Sequence, residues 1–249
     1  FFVEVSLAGF NLDIIIPVYN EGEDFLPWLQ EVAGFLQADD RIVVVDASDQ
    51  HAVSDIVSDY MDRNSQVHYV KSNKGRALQM NAGVEWLAKV FSSNFAQDNQ
   101  RLLWCLHCDS GLSAQHLAYL RSLEAGTVWG RFDVQLAPSV FPFGMISWFI
   151  NVRSRLTQVM TGDQGIFVRS DIFNQLKGYA QIPLMEDVEI SKRLRKRAKA
   201  DSGGPTLQTS ARRWQQYGWV KTVLLMWQLR LLYWLGASPN KLVDKYYGK

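Results

Sequence analysis

The stretch Leu12-Asp13-Ile14-Ile15-Ile16-Pro17-Val18-Tyr19-Asn20-Glu21 sets the fold class. Leu12 to Ile16 is a short, mostly β-branched run closed by Pro17, and it reads as a buried strand of a parallel sheet. Arg41-Ile42-Val43-Val44-Val45, ending at Asp46, is a second such run. Between them Phe25, Trp28, Leu29, Val32, Phe35 and Leu36 recur at helical spacing, which makes a strand–helix–strand unit. The pattern continues with a helix carrying Val53, Ile56, Val57, Tyr60 and Met61, and a strand over Gln66 to Val70. A third helix carries Ala77, Met80, Val84, Leu87 and Phe91, and a fourth strand runs from Leu102 to Leu106. Repeated β-α alternation predicts an α/β protein with a mostly parallel sheet and helices on both faces.

Beyond residue 110 the alternation weakens. Thr127 to Leu136 reads as one edge or crossing strand, Met145 to Met160 as a helix, and Gly165 to Arg169 as a short strand. A helix follows over Glu186 to Lys199, then a break at Asp201-Ser202-Gly203-Gly204-Pro205, then a helical tail from Ala211. These breaks divide the chain into a body over 1–205, with halves meeting near residue 110, and an extension over 206–249.

Composition narrows the function. The chain has 249 residues, 47% of them hydrophobic and 20% charged, too apolar for a disordered chain and too polar for an integral membrane bundle. Its 26 Lys and Arg against 25 Asp and Glu leave a net charge of +1, which argues against nucleic acid as a partner. Two cysteines cannot form a disulfide framework, so a reducing, cytoplasmic setting is expected. Phe1, Phe2 and Glu4 do not read as the start of a signal peptide.

Ligands of open α/β sheets bind beyond the carboxyl ends of the strands. Here those ends lead into Pro17-Val18-Tyr19-Asn20-Glu21, Asp46-Ala47-Ser48-Asp49, Asn73-Lys74-Gly75-Arg76 and His107-Cys108-Asp109. A carboxylate at Asp46 can accept hydrogen bonds from a base or ribose, and Tyr19 can stack on a ring. Lys74 and Arg76, beside a glycine at a helix start, can meet phosphate. Asp109 can hold a divalent cation through oxygen. Together they suggest a nucleoside diphosphate site.

At these residues the chain resembles the family 2 glycosyltransferases, which have the GT-A (Rossmann-like) fold. Ile14 to Glu21 looks like the opening of that family, and Val44-Val45-Asp46 resembles its nucleoside-binding aspartate strand. Lys74-Gly75-Arg76-Ala77 and Met80-Asn81-Ala82-Gly83 are similar to the stretch beside the donor site. Leu106-His107-Cys108-Asp109 stands where the family has its metal-binding DXD-type motif. Gly162-Asp163-Gln164 and Met185-Glu186-Asp187 resemble the acceptor-side motifs, the second of which holds the expected catalytic base. Arg212-Arg213-Trp214 resembles an Arg-Trp element at donor diphosphate and acceptor. Several of these segments are also similar to small bacterial transferases classed with arsenosugar biosynthesis.

The resemblance implies an inverting transfer of a sugar from a nucleotide-diphosphate donor, a UDP-sugar first, to a hydroxyl acceptor. Mg²⁺ or Mn²⁺ is the implied cofactor. Pro17, Tyr19, Asn20, Glu21, Asp46, Lys74, Arg76 and Asp109 are the implied donor-site residues, with Asp109 the metal ligand. Asp187 is the implied base and Glu186 its partner.

Two positions depart from the family. His107 replaces the first DXD carboxylate; in extended backbone it shares a face with Asp109, either as a metal ligand or as a packed side chain. Asp46 is followed by Ala47 where relatives carry a second acid.

Plainer roles stand beside these. Asp46 and Asp109 can cap the segments that follow them. Lys74 and Arg76 can be solvated charges, although cations are unfavourable at a helix start, whereas Glu186 and Asp187 are favourable there without any chemistry. Cys105 and Cys108 have the spacing of a zinc pair, but the second pair such a site needs is missing. A sugar nucleotidyltransferase would place a Gly-rich loop where Pro17-Val18-Tyr19-Asn20 stands. A non-catalytic binder or membrane-associated scaffold of the same fold is the other alternative.

The neutral sum hides a division of charge. Residues 1–190 carry 13 basic and 23 acidic side chains, while residues 191–249 carry 13 and 2. The tail from Trp219 to Leu235 is apolar almost all round, and four of the nine Trp fall between 214 and 234. Packing on the body or on a second copy explains that, as does an interfacial helix at the inner face of a membrane.

Overall fold

The structure, a computed structural model, describes residues 9–49, 52–91 and 98–247; the Phe1, Phe2 and Glu4 reading lies outside them. The core is a six-stranded sheet in the order β3-β2-β1-β4-β7-β5. Its parallel part comprises β1 (Asn11–Val18), β2 (Arg41–Asp46), β3 (Val67–Lys71) and β4 (Arg101–Cys105). Ile14, Ile16, Ile42, Val44, Leu102 and Trp104 point to one face, and Ile15, Val43, Val45, Leu103 and Cys105 to the other. Both sets are buried, which is why these strands are apolar without alternation.

Helix α1 (Phe25–Ala33) joins β1 to β2, α2 (Ala52–Met61) joins β2 to β3, and α3 (Arg76–Phe91) joins β3 to β4. Phe25, Leu29 and Val32 pack with Val53 and Val57 on the first face. Ala77, Met80, Val84 and Leu87 of α3 cover the second. A methyl group at Gly83 would stand 2.9 Å from both Ile15 and Val45, so α3 lies on the sheet at a distance that only glycine permits. At the far end of β1, Asp13 is buried against Arg101 (2.9 Å) and near Arg41 (3.8 Å); burial raises its pKa to about 6 against the pull of the two arginines.

The second half corrects the single strand expected over Thr127 to Leu136 and bears out the short one expected at 165–169. Thr127 to Leu136 is two strands, β5 (Trp129–Gly130) and β6 (Val134–Ala137), because the chain leaves the large sheet at the wholly buried Arg131, which pairs with Asp133. The short strand expected at 165–169 is β7 (Phe167–Arg169), and it runs antiparallel to both β4 and β5. Two helices without a clear apolar stripe went unread, α4 (Ala114–Ser122) and α6 (Ser170–Gln175).

Helix α5 (Phe143–Thr157) packs on the small sheet made by β6 and β8 (Leu207–Ser210), which pair in parallel. The boundary expected after residue 205 thus falls just before a strand that returns to β6. Helix α7 (Glu186–Leu194) is shorter than its sequence signal. The tail folds as α8 (Arg212–Tyr217), α9 (Trp219–Trp234) and α10 (Pro239–Tyr247).

Candidate active site

Because β3, β2, β1 and β4 are adjacent and parallel, their carboxyl ends form one edge, and the four predicted segments line it. The β2 end is built around Asp46, which has no exposure to solvent. Its Oδ1 accepts the Ser48 N–H at 2.8 Å and the Ser48 hydroxyl, and its Oδ2 accepts the Tyr69 hydroxyl at 2.7 Å and the Lys71 ammonium at 3.0 Å. Burial works against the charge, but these bonds outweigh it and hold the carboxyl below its ordinary range. Four donors fill a carboxylate's usual acceptor capacity, so Asp46 acts as a strut within the rim. Ser48 passes the support on, accepting the N–H of Asn20, whose φ is +54°.

Tyr19 donates its hydroxyl to Asp49 at 2.7 Å, and the Lys74 ammonium sits 3.7 Å over its ring. The Gln79 amide ties the ends of β1 and β2 together by donating to the carbonyls of Val18 (2.8 Å) and Val45 (2.9 Å). Glu21 lies beside Cys108, whose thiol is pushed up by burial and by that carboxylate.

The acceptor-side motifs meet the donor edge at Arg76. Its guanidinium is 3.8 Å from Glu186, and Pro17, Met80, His107, Gly162, Tyr179 and Asp187 line the same recess. A Cβ on Gly162 would stand 3.1 Å from His107 Nε2 and 3.2 Å from Arg76 Nη1, so a side chain there would crowd both groups. Burial and Arg76 push the His107 pKa down to about 3, leaving a neutral ring beside a fixed cation. Asp109 is exposed; partial desolvation raises its pKa while Arg76 and Arg212 oppose the rise.

Asp187 is held by backbone. Its Oδ2 accepts the Gly162 N–H at 2.9 Å and its Oδ1 the Val188 N–H at 2.7 Å, which joins the two acceptor-side motifs directly. The Gly162–Gln164 segment is a 3₁₀ turn pinned by Gln164, which is buried, accepts the Thr161 N–H and donates to Ser154 at 2.9 Å. Met185, at the start of α7, has φ +70°, a conformation costing a non-glycine residue about 1–3 kcal/mol and found most often at functional sites. Glu186 is buried, and burial, then the charge of Asp187, raise its pKa to about 7 against the pull of Arg76. Asn81 fixes the loop before this motif by bonding both the carbonyl and the N–H of Tyr179.

A cavity of about 230 Å³ extends outward from Asp187, with Gly162, Asp163, Trp214, Arg230 and Tyr246 on its walls. Trp214 thus reaches the site, Arg212 acts on it through its charge at Asp109, and the side chain of Arg213 lies outside the described residues. Sequence reading missed the partners of Asp46 and the roles of Gln79 and Arg230. Only the position of Gln79, one turn into α3 after the Lys74–Arg76 segment, offered a signal.

Among the described residues, no group of three or more His, Cys, Asp or Glu side chains is placed to hold a metal. Asp109, at the end of the β4 segment, is exposed and open to a ligand. That is enough for Mg²⁺, which is commonly bound through one or two carboxylates plus substrate phosphates. His107 suits it less well, because Arg76 already places positive charge beside the ring.

Residues 13–89 match the model described as Glycosyl transferase family 2, which spans β1 to α3 and stops short of Asp109 and the acceptor-side motifs. No curated protein matches the chain. The structure is similar to that of the mannosyltransferase PcManGT from Pyrobaculum calidifontis, solved with GDP-Man and Mn²⁺ (TM-score 0.58, 14% identity, 88% of this chain and 60% of that one). It is also similar to S. aureus TarS (TM-score 0.57, 14% identity, 80% and 36%). GalNAc-T7, solved with UDP, GalNAc and Mn²⁺, matches at TM-score 0.51 and 15% identity over 81% and 42%. The chain spans at most 60% of the length of these proteins. The expected architecture is therefore present: residues 13–89 match glycosyl transferase family 2, within a chain that has the GT-A fold.

Proposed function

We propose that this protein transfers a sugar from a nucleoside diphosphate donor to an acceptor hydroxyl with inversion. One observation carries the reading: the Gly162 N–H fixes the Asp187 carboxylate at the point where the donor edge, through Arg76, meets the acceptor cavity. Asp187 takes the acceptor's proton as its oxygen bonds to the anomeric carbon. The bond from that carbon to the diphosphate oxygen breaks, and its electron pair leaves with the nucleoside diphosphate. Backbone anchoring on both oxygens leaves Asp187 lone pairs for this proton while fixing the carboxylate's direction.

Arg76 and Lys74 face the diphosphate from the start of α3. Asp46 supports the nucleoside side indirectly, by holding Ser48, Asn20 and Lys71 in place. Glu186, beside Arg76 and Asp187, positions both. Asp109 would hold Mg²⁺ or Mn²⁺ together with diphosphate oxygens. When bound, that ion neutralises charge developing on the leaving group.

Asp187→Asn keeps the shape and removes the base. Transfer should fall about 10²–10⁴-fold while calorimetric titration with UDP and GDP gives unchanged affinity. Unimpaired transfer would exclude Asp187 as the base. Absence of binding by either nucleotide, with and without Mn²⁺, would remove the donor-site reading altogether.

A further inference from the structure

A second cavity, about 320 Å³, opens between α5 and α9, and its two ends differ in chemistry. Ile146, Phe149, Ile150, Trp219, Val223 and Trp227 form an apolar shaft. The inner end carries Arg153, Thr161, Asp163 and Arg230. Thr161, Asp163, Trp214, Met226 and Arg230 also line the cavity beside Asp187, so the two spaces share a wall.

The charged end is incompletely satisfied. Arg153 donates one Nη1 bond to the Val159 carbonyl at 3.1 Å, but its Nη2 is buried without a hydrogen-bond partner among the described residues. Asp163 Oδ1 is buried in the same condition. Arg153 and Arg230 each feel the other's or a nearby acid's charge without a direct ion pair among the described residues. Buried polar atoms left in this state are destabilising, and a ligand with an anionic head would give the arginine a partner.

The outer end is apolar beyond the needs of folding. Trp148 is 58% exposed, Trp227 66% and Trp234 74%, with Phe149, Leu224 and Leu231 similarly open. Phe149 and Trp227 border the cavity itself, and exposed large apolar side chains gathered on two facing helices mark an interaction surface. Residues 191–249 carry an excess of 11 positive charges. That combination suits an element lying on an anionic lipid surface.

We infer that the α5–α9 cleft holds the apolar chain of a lipid acceptor drawn from a membrane surface, with its anionic head at Arg153 and Arg230 and its acceptor hydroxyl toward Asp163 and Asp187. The inference rests on the glycosyl-transfer reading for the word acceptor, but the lipid site itself can be tested alone. A volume near 300 Å³, apolar walls and a few convergent polar groups are the usual form of a small-molecule site.

The test titrates the full chain with dodecyl phosphate, dodecanol and inorganic phosphate, with UDP and GDP in parallel. Dodecyl phosphate should bind at least 100-fold more tightly than inorganic phosphate. Ile150→Trp, which fills the shaft, should weaken dodecyl phosphate at least tenfold and leave UDP and GDP unaffected. Arg153→Gln should weaken dodecyl phosphate while sparing dodecanol. Circular dichroism checks folding, and Val223→Phe fills the same shaft from α9 should Ile150→Trp fail it. Equal binding of dodecyl phosphate to wild type and both shaft variants overturns the site. So does a concentration-dependent dimer that binds none of the amphiphiles, which would assign the apolar face to a second copy. Dodecyl phosphate binding without nucleotide binding would keep the lipid site and remove the transferase reading; the reverse would do the opposite.

Discussion

Asp46 and Glu186 are both buried carboxylates at element ends, one closing β2 and the other opening α7, yet their surroundings act on their charge in opposite directions. Asp46 receives bonds from Ser48, Tyr69 and Lys71 and is held ionised. Glu186 has burial and the Asp187 charge against it, opposed only by an Arg76 guanidinium at 3.8 Å, and its pKa rises to about 7. The difference separates a β2 end whose carboxylate is fully engaged by the fold from an α7 start whose buried carboxylate is only partly satisfied. Asp163 and Arg153, each with an orphaned buried atom, belong to the second kind.

Removing the strut should have the largest effect on stability. Asp46→Ala leaves the Tyr69 hydroxyl and the Lys71 ammonium without their acceptor and frees Ser48, at a cost of about 3 kcal/mol. The folded pKa of Asp46 is depressed, so its charge contributes stability above the unfolded value near pH 4. That contribution disappears as pH falls through the folded value. Urea unfolding at pH 7 and pH 3 should show the gap between wild type and variant closing in acid. A loss below about 1 kcal/mol at pH 7 would mean that the rim does not depend on Asp46.

The acceptor side should show the opposite sign. The folded pKa of Glu186 is raised, so the stability linked to its proton is fully present below about pH 4.5 and is lost as pH rises through about 7. Glu186→Gln keeps the neutral form at every pH. It should match wild type near pH 4 and exceed it by about 1–3 kcal/mol at pH 9. A variant less stable than wild type at pH 9 would show that the pair with Arg76 outweighs burial.

The same contrast explains what could be read in the sequence. Strands β1 to β4 were legible because burial on both faces leaves continuous β-branched runs, and α1 to α3 because each covers one face with a regular stripe. The four strand ends were legible for the same reason, since topology alone places them on one edge. Strand β8 was not, because Leu207-Gln-Thr-Ser210 is short and mostly polar and gains its meaning only from β6, some 70 residues away. The engagement of Asp46 was equally hidden, as its partners come from the next strand. Arg153 and Arg230 carry no functional signal in the sequence, since only the packing of α5 and α9 brings them to one cavity. Polar satisfaction is a property of tertiary contacts, so sequence named the carboxylates without showing which of them are free to work.

The smallest expected effect tests whether any donor-edge cation works on a ligand as well as on the fold. The Lys74 ammonium lies 3.7 Å over the Tyr19 ring at an exposed position, where such a contact is worth about 0.5–1 kcal/mol. Lys74→Met should lower the melting temperature by no more than about 2–4 °C. Tyr19→Leu removes the same contact while keeping the ammonium. If Lys74 does not meet the diphosphate, the two variants should bind UDP and GDP equally, with Tyr19→Leu losing more stability because it also removes the bond from the Tyr19 hydroxyl to Asp49. If it also faces the diphosphate, Lys74→Met should lose nucleotide affinity beyond the loss in Tyr19→Leu, and higher salt should shrink that difference, because an exposed charge is screened. Equal affinities at low salt would place Lys74 with Asp46 among the groups the fold consumes, and leave Arg76 to meet the phosphate from this side.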